Sequence, residues 1–396
     1  MQLIRGKIHL KQIISDHFPA FLEEHPAQIT RPGIPLNIDK MLKCGTEEMG
    51  YHHYRCETCT YERKVPHTCK SRFCPRCGVA QTDMWIERYT TLFAQCAYQH
   101  VIFAPPHEFE DYFRVDRRRY LNCLYTVVNR TLSDWYTFRR YLPGFLLVMH
   151  TFGRSMSWHV HIHVLITCGG LNEARTGWIG VDFIRHDILK ERFRNNFLTE
   201  ISRLWQTQNP SDIPPGCGLL FRKQYQEKIT TTVTGKTWYV HVGEQLRDAE
   251  RVVRYIGRYT KRPAIAESKI LSYDGHAVTF TYKEHRMTKP EVETLSAPQF
   301  LERLLPHIPD VNFRVVRYAG FYANRLRGTL LPLVFALKNS KRTYAQAREH
   351  LAKLTCWWRR RVEAVIHIDP LICEICLIPL TLFSVVYSVS NPDPYG

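Results

Sequence analysis

Trp158-His159-Val160-His161-Ile162-His163-Val164-Leu165-Ile166 sets imidazoles between apolar side chains. Strand side chains repeat every two residues, so His159, His161 and His163 share one face while Val160, Ile162 and Val164 share the other. A sheet seated on helices by its apolar face would present the three imidazoles together in a groove. Imidazole donors alone suit Zn, Cu, Fe or Ni; a hard divalent ion fits where phosphate oxygens and water complete its shell. His150, near the end of the preceding apolar run, is a further candidate ligand, or equally a partly buried polar residue.

Short β-branched runs flank this stretch. His100–Ala104 precedes Pro105-Pro106, and Phe145–Thr151 precedes Gly153, so both predict strands, as do Trp238–Val242 and Ala277–Tyr282. Residues 1 to about 40 read as one helix followed by a Pro-rich stretch (Pro26, Pro32, Pro35). Helical patterns also fall at Met84–Ala97 and at about 115–141, 182–206, 246–260 and 341–366. Strands alternating irregularly with helices imply an α+β domain and not a doubly wound parallel sheet.

The 396 residues carry 54 Lys and Arg against 37 Asp and Glu, a formal charge of +17. That excludes an acidic disordered tail protein and makes a polyanion the first partner to test. With 44% hydrophobic residues the chain is ordinary globular material, and its length implies two or three domains. Six of the 13 cysteines crowd between Cys44 and Cys77, which points to metal in a reducing compartment and not to a secreted disulfide framework. The N-terminal stretch has no apolar h-region, so a cytoplasmic protein is expected. Leu371–Val389 carries a single charge, Glu374, and is long enough for a bilayer. Pro379 and the missing basic flank favour two buried strands broken at Pro379 instead.

Cys56-x2-Cys59 and Cys74-x2-Cys77 are two knuckles separated by 14 residues. Each offers two thiolates from a tight turn, and together they predict a closed, structural Zn2+ site. Cys44, His52, His67 and Cys69 remain nearby for a second zinc. Arg55, Arg63, Lys64, Lys70, Arg72 and Arg76 make the module basic, as nucleic-acid-binding zinc modules are.

Arg251–Tyr259 reads RVVRYIGRY and Arg314–Tyr322 reads RVVRYAGFY, a short repeat with two tyrosines four apart in each copy. On a helix Tyr255 and Tyr259 share a face, among Arg251, Arg254, Arg258, Lys261 and Arg262. Nearby cations favour the phenolate, which can attack phosphorus. Tyr318 and Tyr322, with Arg314, Arg317, Arg325 and Arg327, pass the same test, and periodicity does not choose between the copies.

In order along the chain stand Ser71-Arg72-Phe73-Cys74-Pro75-Arg76-Cys77, His150-Thr151-Phe152-Gly153-Arg154, the histidine strand, Tyr255-Ile256-Gly257-Arg258-Tyr259-Thr260-Lys261-Arg262-Pro263, and Arg317-Tyr318-Ala319-Gly320-Phe321-Tyr322-Ala323-Asn324-Arg325. This combination, from about Cys44 to Arg327, resembles the HUH endonuclease superfamily. More narrowly, it resembles the two-tyrosine rolling-circle transposases of the insertion-sequence ninety-one family. The resemblance implies His161 and His163 as the metal pair, with His159 or His150 as a further ligand, and Mg2+ or Mn2+ as the catalytic ion. The Lys-Arg-Pro that follows places the nucleophiles at Tyr255 and Tyr259, leaving DNA contacts to Arg317, Arg325 and the arginines around the first pair. Two departures stand out. Phe73 occupies a position where the family often has His, and Cys373-Glu-Ile-Cys376 lacks the family's Pro and Gly, which reads as packed strands without metal.

The architecture so implied is a helix plus zinc module at 1–90, an antiparallel HUH sheet with helices on one face at 91–290, and a basic, mainly helical region with an apolar tail at 291–396. Trp357-Trp358-Arg359-Arg360-Arg361 in that last part is a candidate DNA clamp. The expected activity is nicking of single-stranded DNA at an element's ends through a 5′-phosphotyrosine, followed by transfer to target DNA. The chain has no Gly-x4-Gly-Lys-[Ser/Thr] phosphate loop, so a host helicase is expected as partner, and no membrane. Competing expectations are a plasmid replication initiator with the same chemistry and a non-catalytic, zinc-dependent DNA-binding protein.

Overall fold

The computed structural model describes residues 9–26, 29–182, 184–261, 263–283, 289–339, 341–353, 359–360, 362–363 and 369–387, without the side chains of residues 249 and 258–261. Helices α1 (Leu10–Glu24) and α2 (Gly33–Lys43) come first. The single N-terminal helix expected from periodicity is therefore two, parted at the Pro26 to Pro32 stretch, where proline removes ladder donors. The hairpin β1 (Gly50–Arg55) and β2 (Glu62–Pro66) leads to α3 (Pro75–Leu92), which begins with proline at its first position.

Next come β3 (Tyr98–Ala104), α4 (Glu110–Val115), α5 (Arg117–Phe138), β4 (Tyr141–Leu142), β5 (Gly144–Phe152) and β6 (Trp158–Thr167). They are followed by β7 (Gly169–Asn172), β8 (Trp178–Gly180), α6 (His186–Gln206), α7 (Lys223–Thr234), β9 (Tyr239–Leu246) and α8 (Ala249–Lys261). The remaining elements are β10 (Ile270–Tyr273), β11 (Ala277–Tyr282), β12 (Glu291–Ser296), α9 (Ala297–Leu304), β13 (Val316–Gly320), α10 (Arg327–Lys338), α11 (Tyr344–Lys353) and β14 (Thr381–Tyr387).

The central sheet has the order β13-β5-β6-β3-β9, and every pairing in it is antiparallel. The histidine strand is its middle member. Val160, Ile162, Val164 and Ile166 point into the largest core, beneath α5 and α6, where Phe193 and Phe197 meet them. Burying each such side chain stabilises the fold by roughly 1.5–3 kcal/mol. Helices also lie over the other face: Trp85 and Tyr89 of α3, Val252 and Ile256 of α8 and Leu330 of α10 pack with Leu146, Val148 and Leu165. The edge strand β13 comes from residues 316–320, inside the stretch expected to be mainly helical.

A third core joins the N-terminal helices to a later part of the chain. Leu10, Ile13 and Ile14 of α1 pack with Phe280, Phe300 and Leu301. Arg31 adds a 2.7 Å ion pair to Asp310. Segments far apart in sequence also meet, because β14 pairs with β1 in a three-stranded sheet ordered β14-β1-β2. The apolar tail is thus a bridge (Ile372 to Pro379) followed by a strand, but the strand is not buried: Leu382 is 49% and Phe383 57% exposed. Among the described residues, no helix is long and apolar enough to cross a membrane. Of the candidate Trp-Arg clamp, Trp357, Trp358 and Arg361 lie outside the described residues, while Arg359 is paired with Asp369 and Arg360 with Glu87.

Ile162 carries the test of this architecture. Ile162→Ala should lower the unfolding free energy by about 2–5 kcal/mol in urea titration. A loss below about 1 kcal/mol would mean that the middle strand is not anchored by its apolar face.

Candidate active site and cysteine clusters

Cross-strand register assembles the histidines. His150 lies opposite His161, and His163 lies opposite Val148, so three imidazoles from two strands meet on one face. One ring nitrogen of His150, His161 and His163 lies within 4.8 Å of each of the others. His161 Nε2 and His163 Nε2 are 3.1 Å apart, and His161 Nδ1 donates to the His159 carbonyl at 3.1 Å. That bond leaves the Nε2 lone pair of His161 facing its neighbours. His159 itself is exposed and outside the trio, so of the two candidates for a third position the geometry brings in His150.

Two of these imidazoles, His161 and His163, are held neutral. Burial, with His159 and His100 nearby, pushes His161 down to about 3, and burial with His150 and His161 beside it keeps His163 well below the ordinary range. Neutral nitrogen is the form that binds a metal, so the donor set fits a divalent cation.

His100 is the site residue that sequence reasoning missed. Located on β3, it stacks on His163 with Nε2 2.8 Å from His163 Nδ1, and its Nδ1 lies 3.3 Å from the Tyr255 hydroxyl. A lone histidine in an apolar run carries no signal of this role, since only the β3–β6 pairing and the docking of α8 create it. Burial lowers His100 to about 4.

Tyr255 is delivered by α8, which packs on α3 through Gly257. A Cβ there would stand 2.6 Å from Ile86, so only glycine permits this approach. Tyr259 lies one turn further along α8, with its side chain outside the description, as are those of Arg258 and Lys261; Arg262 is not described at all. Arg251 and Arg254 are exposed and paired with Asp248, just before α8, and with Glu250 in its first turn, contacts of small energetic weight.

The second tyrosine copy does not form a helix. Tyr318 lies on β13 and accepts from Trp85 Nε1 at 2.9 Å, and Tyr322 bonds Tyr98 Oη at 2.7 Å and accepts from the Ala94 amide at 2.9 Å. Burial raises both phenols far above their ordinary range, so neither is a ready nucleophile. Arg317 is half-buried with its guanidinium 3.8 Å from the Tyr125 ring centre and bonded to Asn122, while Arg325 is exposed.

The cysteines are grouped differently from the expected pairing. Cys56 and Cys59 do not join Cys74 and Cys77. Instead Cys44, Cys69, Cys74 and Cys77 form one cluster, and Cys56, Cys59, Cys373 and Cys376 form another. The β1–β2 hairpin carries Cys56 and Cys59 to its tip, away from the N-terminus of α3 where Cys74 and Cys77 sit. In the first cluster Cys44 Sγ is 3.5 Å from Cys77 Sγ and 3.9 Å from Cys74 Sγ, and Cys69 Sγ is 3.6 Å from Cys77 Sγ. Zn–S bonds of about 2.3 Å in a tetrahedron imply S···S separations of about 3.8 Å, so the set fits zinc. Hydrogen bonds from Cys69, Cys74 and Cys77 drive Cys44 strongly toward the thiolate, while Cys69 and Cys74 are pushed up beside it. Four such sulfurs cannot all ionise together without a cation. His52 and His67, expected as ligands, bond each other instead, Nε2 to Nδ1 at 3.0 Å. Phe73 fills the core beside the first cluster.

Comparison with known proteins gives the family. A family described as transposase zinc-binding domain matches residues 13–104, and one described as putative transposase matches residues 144–329. A transposase for insertion sequence element IS801 of Pseudomonas savastanoi pv. phaseolicola is 30% identical over 342 residues, 86% of this chain and 80% of that protein. The chain belongs to the insertion-sequence ninety-one (IS91) transposase family. A putative transposase, y4qJ, of Sinorhizobium fredii is 28% identical over 294 residues, 72% of this chain and 73% of that one. No solved structure matches significantly. In this IS91-family transposase the zinc-binding match covers the whole first cluster, which supports structural Zn2+, and the transposase match covers the histidine trio and α8.

The buried imidazoles set a pH dependence. In the unfolded chain a histidine takes its proton near pH 6.5, whereas folded His161 and His100 resist protonation to about 3 and about 4. Their contribution to stability is complete above pH 6.5 and is lost progressively as pH falls toward 4. The urea midpoint should therefore drop between pH 7 and pH 5, and drop less in His161→Asn. An equal drop in both proteins would show that the trio is not desolvated.

Proposed function

We propose that this transposase cuts single-stranded DNA at the ends of its element by attack of Tyr255 or Tyr259 on phosphorus, and joins the strand to a target. The observation that carries this reading is the continuous contact from the Tyr255 hydroxyl through His100 to His163 in the histidine trio. His150, His161 and His163 would hold Mg2+ or Mn2+, which polarises the scissile phosphate and stabilises the charge developing there.

The protons can be followed on the chain's own atoms. A cation held by His150, His161 and His163 would leave the His163 proton on Nδ1, from which it would donate to His100 Nε2. His100 then carries its proton on Nδ1 and donates to the Tyr255 oxygen, favouring the phenolate. Attack forms a Tyr–O–P bond to the 5′ side and breaks the P–O3′ bond; the phenol's proton passes to solvent water and the leaving 3′ oxygen takes one from water in turn, so no net proton is gained or lost. The phosphotyrosine conserves the bond energy, so no nucleoside triphosphate is spent. The second tyrosine lets one site hold or exchange a second 5′ end, as strand transfer requires.

The single strand has a basic path to follow. A cleft of about 540 Å³ between the zinc module and the edge of the sheet is lined by Lys40, Lys70, Arg72 and Arg314 together with Trp85 and Phe313. Cations there would hold phosphates while aromatic rings stack bases. Partners on this reading are element-end and target DNA, with strand separation left to a host helicase.

Labelled single-stranded DNA from the element end, incubated with Mn2+ or with chelator, tests the proposal on a denaturing gel. A metal-dependent covalent adduct should form and map to Tyr255 or Tyr259. Tyr255→Phe/Tyr259→Phe should abolish it while DNA binding persists; residual adduct in that variant sinks the assignment. His100→Ala should slow adduct formation by about 10–100-fold with DNA affinity unchanged, as expected of a residue that orients a ligand and nucleophile. An unchanged rate would remove His100 from the mechanism.

A further inference from the structure

The β1–β2 hairpin and the segment before β14 face each other as two knuckles. Cys56 and Cys59 sit at the hairpin's tip, and Cys373 and Cys376 lie in a turn closed by Cys373 N to Ile378 O (2.9 Å) and Leu380 N to Leu371 O (2.8 Å). The Cys376 amide donates to Cys373 Sγ at 3.4 Å, the backbone-to-sulfur bond that steadies a thiolate within a knuckle. Cys59 Sγ and Cys373 Sγ are 3.7 Å apart across 314 residues of sequence, and all four sulfurs lie within 4.8 Å of one another.

We infer that Cys56, Cys59, Cys373 and Cys376 bind a second structural zinc, which clasps the C-terminal strand to the N-terminal module. This goes beyond the transposition chemistry proposed above and does not depend on it. Half of the ligands lie far outside residues 13–104, the span of the zinc-binding family match.

Three features converge on this assignment. The Cys59–Cys373 separation is that of sulfurs sharing a tetrahedral zinc, about 3.8 Å, and far exceeds an S–S bond of about 2.05 Å. The arrangement is a three-stranded sheet with one knuckle between the first two strands and one leading into the third, a ribbon whose parts come from opposite ends of the chain. Among the described residues the apolar burial is slight: the local core is Tyr54, Cys56, Val65, Val362, Cys373 and Leu380 with Tyr61, Leu371 and Ile378 partly buried against it, while Leu382 and Phe383 remain exposed on β14. Small sheets with so little core gain their stability from metal. Arg63 adds polar fastening through a 2.6 Å bond to the Asp369 carbonyl and a 2.6 Å ion pair to Glu374.

The full-length protein, purified without added metal, should contain about two zinc ions per chain by elemental mass spectrometry. Cys373→Ser/Cys376→Ser should fall to about one, retaining the ion at Cys44, Cys69, Cys74 and Cys77. In the unmutated protein, which avoids any folding defect of the variant, Cys373 and Cys376 should resist iodoacetamide until a chelator is added, and then be alkylated as the β14 segment becomes sensitive to protease. One zinc in the unmutated protein, iron in place of zinc, a disulfide between the knuckles, or alkylation of Cys373 and Cys376 at the same rate with and without chelator would each overturn the inference.

Discussion

A central β-strand has two faces, and β6 gives them opposite chemistry: one is bonded by apolar contact to the helices beneath, the other is imidazole. The registration of β5 and β3 on either side of it then determines what each imidazole meets. His161 finds His150 across one neighbour, and His163 finds His100 through the other. A slip of one residue in either pairing would turn the histidines into the core and the valines outward, so site and core are fixed by the same hydrogen-bond ladder. Burial in that arrangement keeps His100, His161 and His163 neutral.

The position of Tyr255 rests on a second close fit. Gly257 lets α8 lie against Ile86 and Trp85 of α3, and α3 is itself held at its N-terminus by Cys74 and Cys77. The zinc cluster, α3, α8 and Tyr255 therefore form one continuous set of rigid contacts. The cysteine module thereby bears on where Tyr255 stands through the packing of helices and not through direct contact with it.

Much of this was readable from spacing. The alternation at 158–167 marks β6 to its end residues, Ala277–Tyr282 marks β11, and the Tyr-x3-Tyr of α8 has a true helical period. What was not readable depends on contacts far apart in sequence. RVVRYIGRY and RVVRYAGFY are nearly identical, yet the first is a helix and the second an edge strand, because β13 has β5 to pair with and tertiary pairing overrides local propensity. The partner of each Cys-x2-Cys is likewise set by which elements meet. Proximity along the chain suggested Cys74 and Cys77 for Cys56 and Cys59, whereas the strand pairing of β1 with β14 supplies Cys373 and Cys376.

That pairing has a consequence for how the protein is made. The hairpin β1–β2 leaves the ribosome early, but Cys373, on the segment that leads into the strand covering its open edge, is encoded 314 residues after the tip Cys59. At ordinary synthesis rates of about 5–20 residues per second, the nascent hairpin waits about 15–60 s with an uncovered edge and two unclaimed thiols. A chain cut short before residue 381 lacks β14 and leaves that edge of β1 bare for good.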